Sequence, residues 1–242
     1  DEAQAAQQAT SQEAAAEEEA ETAGREAARA TTESARAKKG EHDESHGPRG
    51  HRFTEPEKYA KRWNDPGRDS WQKPQEVMAI LGVEKDMTVV DLGTGTGYFV
   101  PHLAKTVGPN GKVLALDVEE PMVEYVKNRV LSQDMDQVEA RVVATDDPGL
   151  DAESIDRVLT VNTWHHIKDR GEYAEKLAEA LEPGGAVAVV DYTLEGGHGP
   201  PRSHKLSPEQ VKKELEAGGL NAQVVKENLP RQYIVIGRKL AE

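Results

Sequence analysis

The chain has 242 residues, no cysteine and a formal net charge of −14. The missing cysteines exclude disulfides, zinc–thiolate centres and thiol nucleophiles. The acidic balance argues against a sequence-independent grip on nucleic acid, and no apolar run approaches the ~18 residues of a membrane span.

Residues 1–52 contain no Val, Ile, Leu, Met, Phe, Trp or Tyr. Such a segment cannot bury enough apolar area to offset its ordering entropy. Residues 1–38, with 14 Ala among them, are rich in helix formers but carry no apolar stripe. They read as a solvated, partly helical tail, or as a spacer holding the rest away from a partner or a membrane tether upstream of Asp1. Residues 40–52 read as a linker. Its histidines, His42, His46 and His51, are irregularly spaced and offer at most a loose metal site. Residues 53–242 form the folded domain.

From Phe53 onward, short apolar runs alternate with helical stretches. Helices are expected over 55–63 and 73–82, with a loop containing Pro66 and Gly67 between them. Strands are expected over 87–92, 112–117, 138–143, 155–161 and 185–191, with helices over 97–107, 120–132 and 169–181. Ser207, Pro208 and Gln210 open another helix, with Ser as the N-cap and Pro at its first position. Strands near 220–226 and 232–238 have a short connection and should pair as an antiparallel hairpin. The runs are Val- and Leu-rich with little alternation, as in strands covered on both faces. The order predicts an α/β fold: a doubly wound, mostly parallel seven-stranded sheet with an antiparallel last strand, preceded by the low-complexity tail.

The strongest local signal is Val89-Val90-Asp91-Leu92-Gly93-Thr94-Gly95-Thr96-Gly97. A buried strand runs into three glycines at alternate positions, where the backbone takes positive φ and a ligand approaches closely. The spacing is not the G-x-G-x-x-G of dinucleotide folds. Asp91, just before the first glycine, suits a cationic ligand and opposes a pyrophosphate. Asp117 ends the next strand, where a carboxylate accepts ribose hydroxyls.

With this loop, the acid at Asp117, I-D-R-V-L-T-V-N at 155–162 and L-E-P-G-G at 181–185, the chain resembles class I S-adenosylmethionine-dependent methyltransferases. It looks most like the small-molecule branch that includes ubiquinone and menaquinone C-methyltransferases. W-N-D-P-G-R-D-S-W-Q-K-P (63–74), T-W-H-H-I (163–167) and L-P-R-Q-Y (229–233) further resemble a group of bacterial methyltransferases without a well-defined substrate. The resemblance implies a Rossmann-like methyltransferase fold and S-adenosylmethionine as cofactor, with S-adenosylhomocysteine as product. It places Asp91, Gly93, Thr94, Gly95 and Gly97 around the methionine end, and Asp117 on the ribose. Val118 and Met122 would lie against the adenine. Asp146 or Asp147 would accept its amino group, and Asn162 would lie beside the transferred methyl.

Methyl transfer from a sulfonium is an in-line displacement, so the protein chiefly aligns the acceptor, excludes water and moves a proton. His165, His166 and Asp191 follow the fourth and fifth strands and are the expected catalytic groups. An alternative has His166, Asp191 and His204 converging on a divalent metal. Tyr59, Trp63 and Trp71 are expected either to cover the site or to pack as aromatic core, with Arg231, Gln232 and Tyr233 facing the same cavity. The partner expected is a small-molecule acceptor. Nucleic acid is not expected, since Asn162-Thr163-Trp164-His165 is no N-P-P-Y run. Competing readings are a non-catalytic scaffold on the same fold and a nicotinamide oxidoreductase. Cofactor supply favours the cytoplasm; the start at Asp1 and the acidic tail favour an exported, tethered form.

Overall fold

The computed structural model describes residues 53–195 and 197–241; the expectations placed on residues 1–52, including the three linker histidines, lie outside them. Helices α1 (Pro56–Trp63), α2 (Asp69–Gln72) and α3 (Pro74–Leu81) precede the sheet. There follow β1 (Thr88–Leu92), α4 (Val100–Val107), β2 (Lys112–Asp117), α5 (Glu120–Ser132) and β3 (Val138–Val142). The second half comprises β4 (Ile155–Val161), α6 (Arg170–Ala180), β5 (Leu181–Tyr192), α7 (Pro208–Ala217), β6 (Asn221–Val224) and β7 (Gln232–Arg238).

The seven strands form one sheet in the order β3-β2-β1-β4-β5-β7-β6. The first five in this order run parallel to one another, and β7 runs antiparallel to both β5 and β6. The apolar strand residues divide by parity between two cores. Val89, Val113, Leu159 and Ala188 pack on one face with residues of α3 and α4. Val90, Leu114, Val158 and Val187 pack on the other with residues of α6 and α7. Period-2 geometry sends neighbours to opposite faces, and both faces here are covered by helices. Each fully buried valine contributes on the order of 1.5–3 kcal/mol. The chain leaves β1 for β2 and β3, then returns to β4 on the other side of β1. The reversal opens a crevice at the carboxyl ends of β1 and β4.

Four local differences from expectation have physical causes. Helix α4 begins at Val100 rather than 97, because Gly97 takes φ +73° and Pro101 lies in the first helical turn. Tyr98 and Phe99 stay in the preceding turn and are buried in the core. Strand β5 starts at Leu181, with its register to β4 shifting between Leu181 and Ala186 across Pro183-Gly184-Gly185. β6 is shorter than expected, covering 221–224. The supposed loop before α3 contains a 3₁₀ turn (Pro66–Arg68) and α2. Asp65 caps that turn by accepting the Gly67 N–H at 2.7 Å. The expected cap of α7 is present: Ser207 Oγ accepts the Gln210 N–H at 3.1 Å, worth about 1 kcal/mol.

Candidate active site

The glycine loop is built as a cradle from backbone geometry. Gly93 sits at φ +73°, and a Cβ there would come within 2.3 Å of the Thr163 side chain beyond β4. Gly95 sits at φ +53°, with the Trp63 ring of α1 facing its missing Cβ at 3.3 Å. The N–H groups of Gly93 and Thr94 both donate to the Leu116 carbonyl, at 2.8 and 2.9 Å. The loop's own carbonyls are held from outside. Asn64 Nδ2 donates to Thr96 O at 3.1 Å, while Arg129 Nη1 donates to the carbonyls of Thr96 and Gly97 at 3.1 and 2.6 Å.

Two carboxylates flank this cradle. Asp91 is 3% exposed and accepts the Thr94 hydroxyl at 2.8 Å. Burial pushes its carboxyl up to about 6; the Thr94 bond and the Arg68 charge pull it back. Asp117, also buried, accepts the Gly95 N–H on Oδ2 at 2.8 Å and the Glu119 N–H on Oδ1 at 3.0 Å. Burial raises its pKa, and these backbone donors oppose the rise. Val118 is half-buried and Met122 fully buried just beyond it. Asp146 and Asp147 are exposed in the loop after β3. Asp147 accepts the Gly149 N–H at 2.8 Å and lies 3.6 Å from Lys176 Nζ. The Asp146 carboxylate has no partner among the described residues, which leaves it the freer of the two.

Arg68 is a site residue that pattern reading missed. Its guanidinium lies 3.9 Å above the Tyr98 ring. Nη1 donates to Trp63 O at 2.8 Å, while Nε and Nη2 donate to Gln72 Oε1 at 3.2 and 3.0 Å. These acceptors are neutral. No carboxylate among the described residues pairs with Arg68, although burial lowers its pKa and Asp91 lies close enough to raise it. Gln72 in turn donates to Gln232 Oε1 at 2.6 Å, and Gln232 donates to Asn162 Oδ1 at 2.8 Å. This ties α2, β7 and the end of β4 together. Asn162 adopts φ +57°, bending the chain away from the sheet.

A row of rings starts from Trp63, which covers Gly95. Phe53 lies 5.5 Å from Trp63 and 6.2 Å from His166, which lies 4.2 Å from His165. His165 Nδ1 reaches the two oxygens of Asp191 at 2.8 and 3.1 Å, both side chains being almost wholly buried. Asp191 Oδ1 also accepts the Tyr192 N–H. An acceptor-only carboxylate fixes the proton on Nδ1 and leaves the lone pair on Nε2.

Of the other expected site residues, Tyr59 stacks on Trp63 at 4.7 Å, and Trp71 lies 5.7 Å from the Arg68 guanidinium and 4.7 Å from that of Arg231. Gln232 joins the network, but Tyr233 does not: its hydroxyl donates to Leu206 O and its ring is buried in the core on the α6–α7 face. The parity of β7 turns neighbours to opposite faces. No group of three or more His, Asp or Glu able to hold a metal forms among the described residues, so His166, Asp191 and His204 do not converge. No helix among them is long and apolar enough to cross a membrane.

The sheet order, the glycine cradle and the carboxylates at two adjacent strand ends define the seven-stranded methyltransferase fold. A family model described as "Methyltransferase domain" matches residues 83–234, and the chain belongs to that family. A solved S-adenosylmethionine-dependent methyltransferase from Aquifex aeolicus is 30% identical, with a TM-score of 0.71, covering 77% of this chain and 99% of that one. Demethylmenaquinone methyltransferase of Listeria monocytogenes is 27% identical over 121 residues, half of each chain. Arsenite methyltransferase of Halobacterium salinarum is 29% identical over 113 residues, 47% of this chain and 29% of that one. The chain thus spans half the length of these curated relatives or less. Family membership replaces the oxidoreductase reading.

Proposed function

We propose that the protein moves a methyl group from S-adenosylmethionine to a small-molecule acceptor. The observation that carries this reading is the pair of opposite charges beside the glycine cradle, Asp91 and Arg68, which act on each other through space but form no ion pair. The buried Asp91 carboxylate, pushed up to about 6 by burial, feels the Arg68 charge but forms no ion pair with any cation among the described residues. A guanidinium held only by neutral acceptors lacks an anion. An α-amino-acid end, with one ammonium and one carboxylate, supplies both. Asp91 would hold the ammonium, Arg68 the carboxylate, and Asp117 the ribose hydroxyls through lone pairs not used by its two backbone bonds. Val118, Met122 and Asp146 would hold the adenine. When bound, the cofactor supplies an activated methyl on a sulfonium.

The chain's own residues then align and deprotonate. Gln232 holds Asn162 at the end of β4, on the rim of the crevice. Asp191 holds His165 with Nε2 as the basic nitrogen, suited to take a proton from an acceptor hydroxyl or acidic carbon. Trp63 and Phe53, both half-buried, line this path.

The test is calorimetry with S-adenosylmethionine on the parent and on Asp117→Ala. Loss of the charge-assisted acceptor, worth roughly 1.5–3 kcal/mol, should weaken binding by about tenfold or more. Equal affinities would remove the ribose assignment, and no binding by the parent would remove the reading.

A further inference from the structure

Arg231, beside the carboxyl end of β5, is not accounted for by the cofactor. Arg231 places its guanidinium 4.7 Å from the centre of the Trp71 ring. Its carbonyl accepts the Thr193 N–H at 3.1 Å, which holds the start of β7 beside the end of β5. Tyr192 pairs in register with Gln232, the residue that holds Asn162. Lys205 Nζ donates to Thr193 O at 2.9 Å and lies 5.9 Å from the Tyr192 ring centre. Gly199 at φ +78° packs its backbone on that ring, where a Cβ would meet it at 2.3 Å. Tyr192 thus has one side covered by Gly199; burial and Asp191 raise the pKa of its hydroxyl, and the charges of Arg68, Arg62 and Arg231 oppose the rise.

The nearby acids do not pair with Arg62 or Arg231. Asp191 is taken by His165 and the Tyr192 N–H, and Asp69 accepts the Tyr98 hydroxyl. Neither Arg62 nor Arg231 has an ion pair with any described residue. In a chain of net charge −14, a local concentration of cations beside two half-buried rings is a field that draws in anions.

We propose that the acceptor half of the site takes an oxyanion, carboxylate or phosphate, carried on a flat skeleton. Arg231 is its charge partner, and Trp71 and Tyr192 are its walls. The inference rests on the methyltransferase reading for the identity of this half as the acceptor side. It adds the class of acceptor: one already acidic before methylation, so that the product keeps its anionic handle unless that oxygen itself is methylated.

The experiment uses the full chain saturated with S-adenosylhomocysteine and, in parallel, without it. Benzoate and phenyl phosphate are titrated against their neutral counterparts benzamide and benzyl alcohol, on the parent, Arg231→Gln and Arg231→Lys. At least one anion should bind about tenfold or more tightly than its neutral counterpart, the measure of one charge-assisted contact. The tighter anion shows whether a carboxylate or a phosphate is the natural group. Arg231→Gln should bring the ratio close to one, while Arg231→Lys retains most of it. Raising ionic strength should erode anion binding and leave the neutral compounds unaffected, which decides the matter even if Arg231→Gln folds poorly. Equal binding of anion and neutral partner, an unchanged ratio in a folded Arg231→Gln, or no anion binding at all would overturn the proposal. Failure of S-adenosylhomocysteine to bind would instead count against the cofactor reading, and the parallel arm without it still reports on the anion site.

Discussion

Replacing Asp91 by Asn tests the charge logic of the cradle directly. The substitution keeps an oxygen to accept the Thr94 hydroxyl but removes the charge. Burial raises the Asp91 carboxyl from 3.8 to about 6. Below pH 3.8 the group is protonated in both folded and unfolded chains. Between 3.8 and about 6 the unfolded chain releases its proton while the folded chain keeps it, so stability falls as pH rises. Above about 6 the loss is complete, at about 3 kcal/mol. The Asn amide carries its own cost from unpartnered donors, but that cost is the same at every pH. The stability of Asp91→Asn relative to the parent should therefore rise by about 2 kcal/mol between pH 4.5 and 7.5, read by urea unfolding without cofactor. Saturating S-adenosylmethionine should favour the parent, because an ammonium partner restores the carboxylate and cannot do so for the amide. A stability difference that is flat with pH, or that falls as pH rises, would refute the reasoning.

Arg68→Gln should be read with two cofactor forms. The parent should bind S-adenosylmethionine about tenfold or more tightly than its decarboxylated analogue, since a charge-assisted contact is worth roughly 1.5–3 kcal/mol; Arg68→Gln should bind the two alike, and a preserved preference would remove Arg68 from the cofactor site. His165→Ala should leave cofactor affinity within about twofold while lowering turnover by about 10²–10⁴, the usual range for a general base. The same change at His166, which makes no contact with Asp191, should cost less, and the reverse ranking in folded variants would move the proton transfer to His166.

The strand and helix order from Phe53 onward was legible because it rests on local rules. Val-rich runs bounded by Gly and Pro read as buried strands. Ser207-Pro208 reads as a helix start, and Asp91 followed by glycines at 93, 95 and 97 reads as a ligand loop. The acid at Asp117 was legible for the same reason, as the last residue of a recognisable strand. Arg68, Arg129 and Gln72 carried no such mark; Asn162 and Gln232 were legible as site positions, but not as members of one network with Gln72. Gln72 and Gln232 are separated by 160 positions, and an isolated arginine or glutamine in a polar stretch looks like any solvated residue. Only the return of the chain across β1, and the antiparallel insertion of β7 beside β5, brings these side chains to one edge. The histidine pair shows the same division. That His165 or His166 ends near the crevice follows from their place after β4. That Asp191 takes His165 follows from the tertiary structure alone, through the pairing of β4 with β5 and the turn after Asn162. Local periodicity determines which faces are apolar and where turns fall. The meeting of polar groups distant in sequence depends on strand order, and strand order is decided by packing both faces of the whole sheet at once.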